Sequence, residues 1–380
     1  MAARQPMPKR VWQWVDGRYE LTTLLNALMH VVIPINARTF YFGGITLFFF
    51  GVQAITGTLL AIYYQPTPDT AYDSILFIMN QVHFGWLIRS IHAWSANFMI
   101  LFCVFHLLRV FFQGAYKKPR EVTWVMGILL LGLTLAFGFT GYLLPWDQRA
   151  YWATTVGSEI AGAVPGVGQQ MLTFLRAGTE ITARTLSRFF GMHVLMLPLS
   201  LAAVLVVHIT MVHQQGLADP DRDEGAGKEP AAGAGKEPVG KEAAAAGNVA
   251  VEPGPKPKRK LLPFFPNYVL DEIIAWYVML GLLIILVSLV PAGLEAPADP
   301  LRTPEHTKPE WYFLFLYQGL KVVPRIVGIA IPIVGGLFLL LLPFLDRNPN
   351  ASPRRRPIAI TIGVLVMIGI VVFTVWGWRS

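Results

Sequence analysis

One cysteine, Cys103, occurs in 380 residues. The chain can therefore form no internal disulfide, hold no multi-cysteine cluster and offer no Cys-x-x-Cys-His for covalent haem attachment. Charge is scarce too: 14% of residues are Asp, Glu, Lys or Arg, against 54% hydrophobic. That balance excludes an ordinary soluble domain and indicates a polytopic membrane protein. No cleavable signal peptide is expected, because the first forty residues are charged and aromatic rather than apolar. The net charge of +8 resides in loop lysines and arginines, so membrane topology accounts for it and no nucleic-acid partner is implied.

What the chain has in abundance is long apolar runs. Seven reach the length that a hydrocarbon core of roughly 30 Å requires. They cover about 41–63, 86–112, 122–144, 189–213, 268–291, 326–346 and 358–378. Basic residues then assign the sides. Lys9, Arg10 and Arg18 precede the first run, and Lys117, Lys118 and Arg120 follow the second. Lys256, Lys258, Arg259 and Lys260 precede the fifth, and Arg354, Arg355 and Arg356 precede the seventh. All fall on one side when the amino terminus is cytoplasmic, as the positive-inside rule prefers. The expected location is a bacterial cytoplasmic membrane. Upstream, Trp12, Trp14, Leu21, Leu24, Leu25 and Leu28 give residues 1–40 the look of an amphipathic segment on the membrane surface.

The second and fourth runs each carry two histidines: His92 and His106, and His193 and His208. Spacings of 14 and 15 residues separate the members of each pair by about 21–23 Å along a helix. Fourteen residues fall roughly 40° short of four turns, so the first pair shares a face. Fifteen overshoot by about 60°, which a kink at Pro198 can offset. Polar groups at membrane depth cost on the order of a few kcal/mol and tend to mark function. A lone membrane histidine could simply hydrogen-bond a neighbouring helix. Four in two matched pairs, on runs that the charge pattern makes parallel, form two stacked bis-histidine clamps for haem iron. Gly43 and Gly57 on the first run, and Gly127 and Gly141 on the third, repeat the 14-residue interval. Bare backbone there would let a flat macrocycle approach closely, although small residues also serve plain helix packing.

Residues 217–260 break the pattern. Gly-Ala-Gly-Lys-Glu-Pro occurs at 225–230 and again at 233–238, and Ala243 to Ala246 follow. This low-complexity stretch reads as a cytoplasmic linker. It divides a four-span di-haem module at 41–216 from a three-span module at 261–380. The fold class expected is all-α: a four-helix haem-binding bundle plus three further transmembrane helices.

Four stretches carry a family resemblance: Phe84-Gly-Trp-Leu-Ile-Arg-Ser-Ile-His92, Lys118-Pro-Arg-Glu-Val-Thr-Trp124, Gly141-Tyr-Leu-Leu-Pro-Trp-Asp147 and Pro309-Glu-Trp-Tyr312. With them the chain resembles cytochrome b of the quinol-oxidising cytochrome bc complexes, over nearly everything except the linker. It is most similar to photosynthetic-type cytochrome b6 joined in one polypeptide to a three-span subunit IV.

The resemblance implies roles. His92 and His193 would ligate a low-potential haem on the outer side, with Arg89 neutralising a propionate. His106 and His208 would ligate a high-potential haem on the cytoplasmic side, and both haems would be non-covalent b-type. Pro309, Glu310, Trp311 and Tyr312 would border the quinol-oxidation pocket, with Glu310 accepting a proton. Tyr142 and Trp146 would shape that region. At the cytoplasmic quinone site, His213 resembles the quinone-binding histidine of respiratory members, and Asp271 and Glu272 fall where that family has a carboxylate. Photosynthetic relatives tether a third, c-type haem through a cysteine near the start of the first span. Phe40 to Gly44 contain no thiol, so no covalent haem is expected. His30, His83 and His306 lie outside the haem spacing.

The function implied is that of the quinone-reacting subunit of a quinol:cytochrome c, or equivalent, oxidoreductase running a Q cycle. Its partners would be a Rieske iron–sulfur protein and a c-type cytochrome, in a dimeric complex. A di-haem membrane anchor for another quinone-linked dehydrogenase or reductase would need the histidines but not Pro-Glu-Trp-Tyr. A proton-relaying transporter would show no b-type absorption band.

Overall fold

A computed structural model describes residues 7–20, 22–23, 32–34, 41–216, 261–305 and 308–380. The expected linker 217–260 and much of the amino-terminal segment lie outside the described residues, as do His30 and His306. The chain is built of helices: α1 Met7–Tyr19, α2 Phe42–Ala61, α3 Ala71–Asn80, α4 Gly85–Phe112, α5 Glu121–Tyr142, α6 Gln148–Gly162 and α7 Gly168–Arg176 come first. They are followed by α8 Ala183–Gln215, α9 Val269–Leu289, α10 Trp311–Val322, α11 Arg325–Leu345 and α12 Pro357–Arg379. The strands described are a three-residue pair, β1 Val32–Pro34 antiparallel to β2 Leu261–Pro263.

Seven helices are long and apolar enough to cross a membrane: α2, α4, α5, α8, α9 with the turn before it, α11 and α12. They coincide with the seven apolar runs. Few of their residues are buried against one another, and the outward faces are rich in Leu, Ile, Val and Phe, as membrane-facing helices are. Where helices do meet, α2 packs along α4, α5 along α8 and α10 along α12. Ile45, Phe49, Met99, Leu201, Leu283 and Val287 form the main core, drawn from α2, α4, α8 and α9. In α1, Val11, Trp12 and Trp14 are exposed, and the Arg18 guanidinium lies 4.0 Å over the Trp14 ring.

The fourth span departs from a regular helix. Residues Met192–Met196 form a π turn, closed by the Leu197 N–H bonding the Met192 carbonyl. Pro198 follows after Leu197 and has no N–H to offer the preceding turn. A π turn inserts one residue, about 100° of rotation, so the 60° overshoot becomes a 40° shortfall. Both histidine pairs then have the same angular offset. The compensation expected of a kink at Pro198 is thus made by the widened turn before it.

Residues 290–298, between α9 and α10, run across the ends of α3, α4 and α6. Arg89 donates to the carbonyls of Ala292 (2.7 Å) and Gly293 (2.8 Å), and Trp94 Nε1 donates to Val290 O (2.7 Å). The Tyr72 hydroxyl donates to Glu295 O, and the Gln148 N–H donates to Ala296 O. Asp147 caps α6 through the Ala150 N–H and also accepts from the Glu295 N–H. Burial raises its carboxyl above the ordinary range, against the pull of those two bonds. At the opposite end, Trp124 Nε1 donates to Leu339 O (2.7 Å). Arg356, 1% exposed, donates to the Tyr116 hydroxyl and to the Ala351, Phe111 and Phe112 carbonyls. Its guanidinium thereby closes the carboxyl end of α4, where unpaired carbonyls and the helix dipole favour a cation.

Candidate haem and quinone sites

α4 and α8 bring the first histidine pair together. The rings of His92 and His193 lie 6.3 Å apart, centre to centre, at 75°. This is a separation that two imidazoles adopt around one metal ion bound about 2 Å from each. Because His92 and His193 both lie toward the amino-terminal ends of their helices, α4 and α8 run parallel.

Each of the four glycines faces one of the four histidines. A methyl placed on Gly57 would lie 3.1 Å from His92 Cε1, and one on Gly43 would lie 3.1 Å from His106 Cε1. The corresponding distances are 2.5 Å from Gly141 to His193 and 3.4 Å from Gly127 to His208. The close approach expected at the glycines is therefore filled, in this structure, by imidazole. α2 and α5 flank the α4–α8 pair and supply a bare patch at each of two levels.

Three of the four histidines are held through Nδ1. His92 Nδ1 is 2.9 Å from the Thr56 hydroxyl and His193 Nδ1 is 3.0 Å from the Thr140 hydroxyl. His208 Nδ1 is 3.1 Å from the Thr123 carbonyl, which can only accept. His106 Nδ1 is buried with no partner among the described residues. A ring that donates from Nδ1 keeps a lone pair on Nε2, the form that ligates a metal. Donor type and bare backbone suit a haem at each level, and at the His92–His193 level ring spacing and tautomer do as well.

Near the His92 end, Glu310 stands at the start of α10. Burial raises its carboxyl above the ordinary range, and the charge of Arg149 opposes that rise. Arg149 also forms an ion pair with Glu295. Trp311 Nε1 donates to Asn97 Oδ1 on α4 (2.8 Å), and the Tyr312 hydroxyl packs against Gly138 on α5. Pro309 precedes them as the last turnless residue but one before the helix. The Tyr142 hydroxyl is buried without a partner among the described residues. Arg89, expected at a propionate, spends donors on the 292–293 carbonyls. Asn97, Arg149 and the three threonine contacts escaped the sequence reading. The Thr-Gly pairs at 56–57 and 140–141 were the available signal.

At the His106 end, Asp271 accepts from the Tyr41 hydroxyl at 3.2 Å. The Glu272 carboxylate fills the space over Gly44. A cavity of about 410 Å³ is lined by Tyr41, Asp271, Ile274 and Ala275. His213, exposed at the end of α8, reaches this area through a run of rings. It meets Phe264 at 6.1 Å, Phe264 meets Tyr268 at 5.5 Å, and Tyr268 meets Tyr41 at 5.2 Å. His83 packs on Phe84 and takes no part at either end.

Comparison with known proteins finds two family models. Cytochrome b/b6/petB matches residues 28–216, and Cytochrome b(C-terminal)/b6/petD matches residues 297–380. The chain is 38% identical over 369 residues to a cytochrome bc complex cytochrome b subunit of Chlorobaculum thiosulfatiphilum, covering 95% of this chain and 79% of that one. It is 42% identical over 221 residues to cytochrome b6 of Crocosphaera subtropica, covering 58% of this chain and 100% of that protein. Among solved structures, a chain of a hyperthermophilic respiratory Complex III superposes with a TM-score of 0.78 at 30% identity, covering 96% of this chain and 90% of that one.

Proposed function

Since this chain belongs to the cytochrome b/b6 family and joins b6-like and subunit IV-like parts in one polypeptide, we propose that it is the quinone-reacting subunit of a quinol:cytochrome c, or equivalent, oxidoreductase. The family is one of b-type haem proteins of electron-transport complexes. His92 with His193, and His106 with His208, would hold one haem each. When bound, the two haems supply one-electron carriage between the two quinone sites, as a Q cycle requires of this subunit. The observation that carries this reading is the matching of four histidines to four glycines at two levels.

The chain's own groups serve the proton side. Glu310, buried and raised, is suited to take a proton from quinol at the outer face and release it toward the polar Arg149–Glu295 pair. Trp311 and Tyr312 fix the segment on α4 and α5, so that carboxyl is presented at a set position. On the cytoplasmic side Asp271, Glu272 and His213 supply donors and acceptors for quinone carbonyls, and protons for its reduction. The first electron of quinol goes to a Rieske iron–sulfur partner and on to a c-type cytochrome, since this chain lacks the cysteines for either carrier, and the second is the one that the haems carry.

The test is purification of the complex from its native membrane. Two b haems per chain by pyridine haemochrome assay, and quinol-dependent reduction of a c-type cytochrome, are expected. A reduced-minus-oxidised spectrum without a b-type band would overturn the assignment.

A further inference from the structure

Threonine is common in membrane helices, and its usual contact is with its own backbone. Thr46, Thr58 and Thr134 each donate to the carbonyl four residues earlier. Thr56 and Thr140 do the same, donating to Val52 O at 2.6 Å and Ala136 O at 2.8 Å. They differ in what else they touch. Each hydroxyl also lies within hydrogen-bond distance of a histidine Nδ1, and each is deeply buried, at 7% and 5% exposure. A hydroxyl has one proton. With that proton committed to the helix carbonyl, the threonine oxygen can only accept from the imidazole. The two hydroxyls therefore require an N–H at Nδ1 of His92 and of His193.

We propose that Thr56 and Thr140 are positioning residues for the outer haem: they fix both axial imidazoles in the Nδ1–H form and hold the reduction potential of that haem down. This rests on the assignment of His92 and His193 as its ligands. The physical reason is electronic as well as geometric. A partner that accepts the distal N–H raises the basicity of the ligating nitrogen and stabilises the more highly charged ferric iron. A hydroxyl already donating to a carbonyl is polarised toward being a better acceptor. Removing the acceptor shifts the balance toward ferrous iron.

The two positions are not equivalent. His193 has the Phe137 carbonyl as a second acceptor nearby. His92 Nδ1 faces the Thr56 oxygen, and Gln53 beside it is engaged with the His92 carbonyl and Ser95. The effect of losing the hydroxyl is thus larger at position 56.

The experiment is a potentiometric titration of both b haems in the intact complex, with low-temperature EPR of the ferric forms, for wild type and variants. Thr56→Val keeps shape and removes the acceptor. At a fixed ambient potential it should raise the ferrous-to-ferric ratio of the outer haem several-fold, up to about tenfold, and shift its EPR signal. Thr140→Val should do so less. Thr56→Ser should restore wild-type values. Thr134→Val, on the same helix as Thr140 but away from any histidine, should change neither haem. An unchanged outer-haem potential in Thr56→Val, with both haems at full occupancy, would overturn the proposal and leave the ligand assignment standing. If Thr56→Val loses the outer haem altogether, recovery in Thr56→Ser supports the proposal and no recovery overturns it. A wild-type complex lacking an outer b haem is a separate failure, of the ligand assignment itself.

Discussion

The His92 and His193 rings stand 6.3 Å apart on two different spans, each backed by a glycine from another span, Gly57 on α2 and Gly141 on α5. Neither ring can leave without opening a polar void in a region closed to water. His92→Leu or His193→Leu should therefore remove the outer haem and reduce assembly. His106→Leu or His208→Leu should remove the cytoplasmic haem and slow turnover by blocking the exit of the second electron. Visible spectra of each variant, resolved into two b-type components, check this. A single-histidine variant that keeps both components would show the pairing to be wrong.

The glycines should rank by the space they leave. A methyl on Gly141 meets the His193 ring at 2.5 Å, whereas one on Gly127 meets His208 at an ordinary 3.4 Å. Overpacking a tight contact costs typically about 1–3 kcal/mol. Gly141→Ala should lower occupancy or distort the spectrum of the outer haem, and Gly127→Ala should leave the other haem close to wild type. Haem-to-protein ratios in the two variants decide the ranking, and equal behaviour would mean that the glycine faces do not set haem fit.

Glu310 should impose a pH dependence. Its carboxyl must be ionised to accept a proton, and burial raises its pKa above the ordinary carboxylate value. Quinol oxidation should fall as pH drops through that raised value, at higher pH than an exposed glutamate would dictate. Glu310→Gln should lower the rate on the order of 10²-fold, the low end of what a positioned proton acceptor contributes, and flatten the acid limb. Both haems should remain. Rates that match wild type across pH would show that another group takes the proton.

Bonds through space, rather than residues 217–260, should hold the two halves together. Arg89, Trp94, Trp124 and Arg356 all donate across the divide. A protease site placed within 225–246 should be cut without loss of haem or co-purification. Arg356→Met, by contrast, leaves buried carbonyls and Tyr116 without their cation. It should cost at least about 1–3 kcal/mol, the range for leaving a buried acceptor without its donor, and lower the temperature at which the haem spectrum is lost. Dissociation on cleavage would show the linker to be essential.

No covalent haem should be found on this chain. Cys103 is its one thiol, within α4 and three residues from His106. Denaturing gels stained for haem peroxidase activity should show no band at this polypeptide, and a stained band would contradict the account of the cytoplasmic site.

The spans and the histidine pairs were legible because apolar length and residue spacing are written directly in sequence. The glycines were legible as a shared interval suited to a macrocycle, though not that each would face a histidine ring. Thr56 and Thr140 were not, since Thr46, Thr58 and Thr134 have the same residue type without a histidine neighbour. Nor was the seam at 290–298, because its acceptors are backbone carbonyls, which every residue possesses. Tyr41 was hidden for a similar reason: only the return of α9 brings Asp271 to it.

The widened turn at Met192–Met196 has one further consequence, for how this helix tolerates change in length. Elsewhere in a membrane span, losing one residue turns everything beyond it by about 100° and points a ligand into lipid. Here the surplus residue is stored locally, and the helix after Pro198 is already phased as if it were absent. Deletion of Val194 or Leu195 should therefore close the turn to an ordinary α-helical one and leave His208 facing inward. The fourth span carries its own slack, placed between the ligand it begins with and the ligand it must still reach.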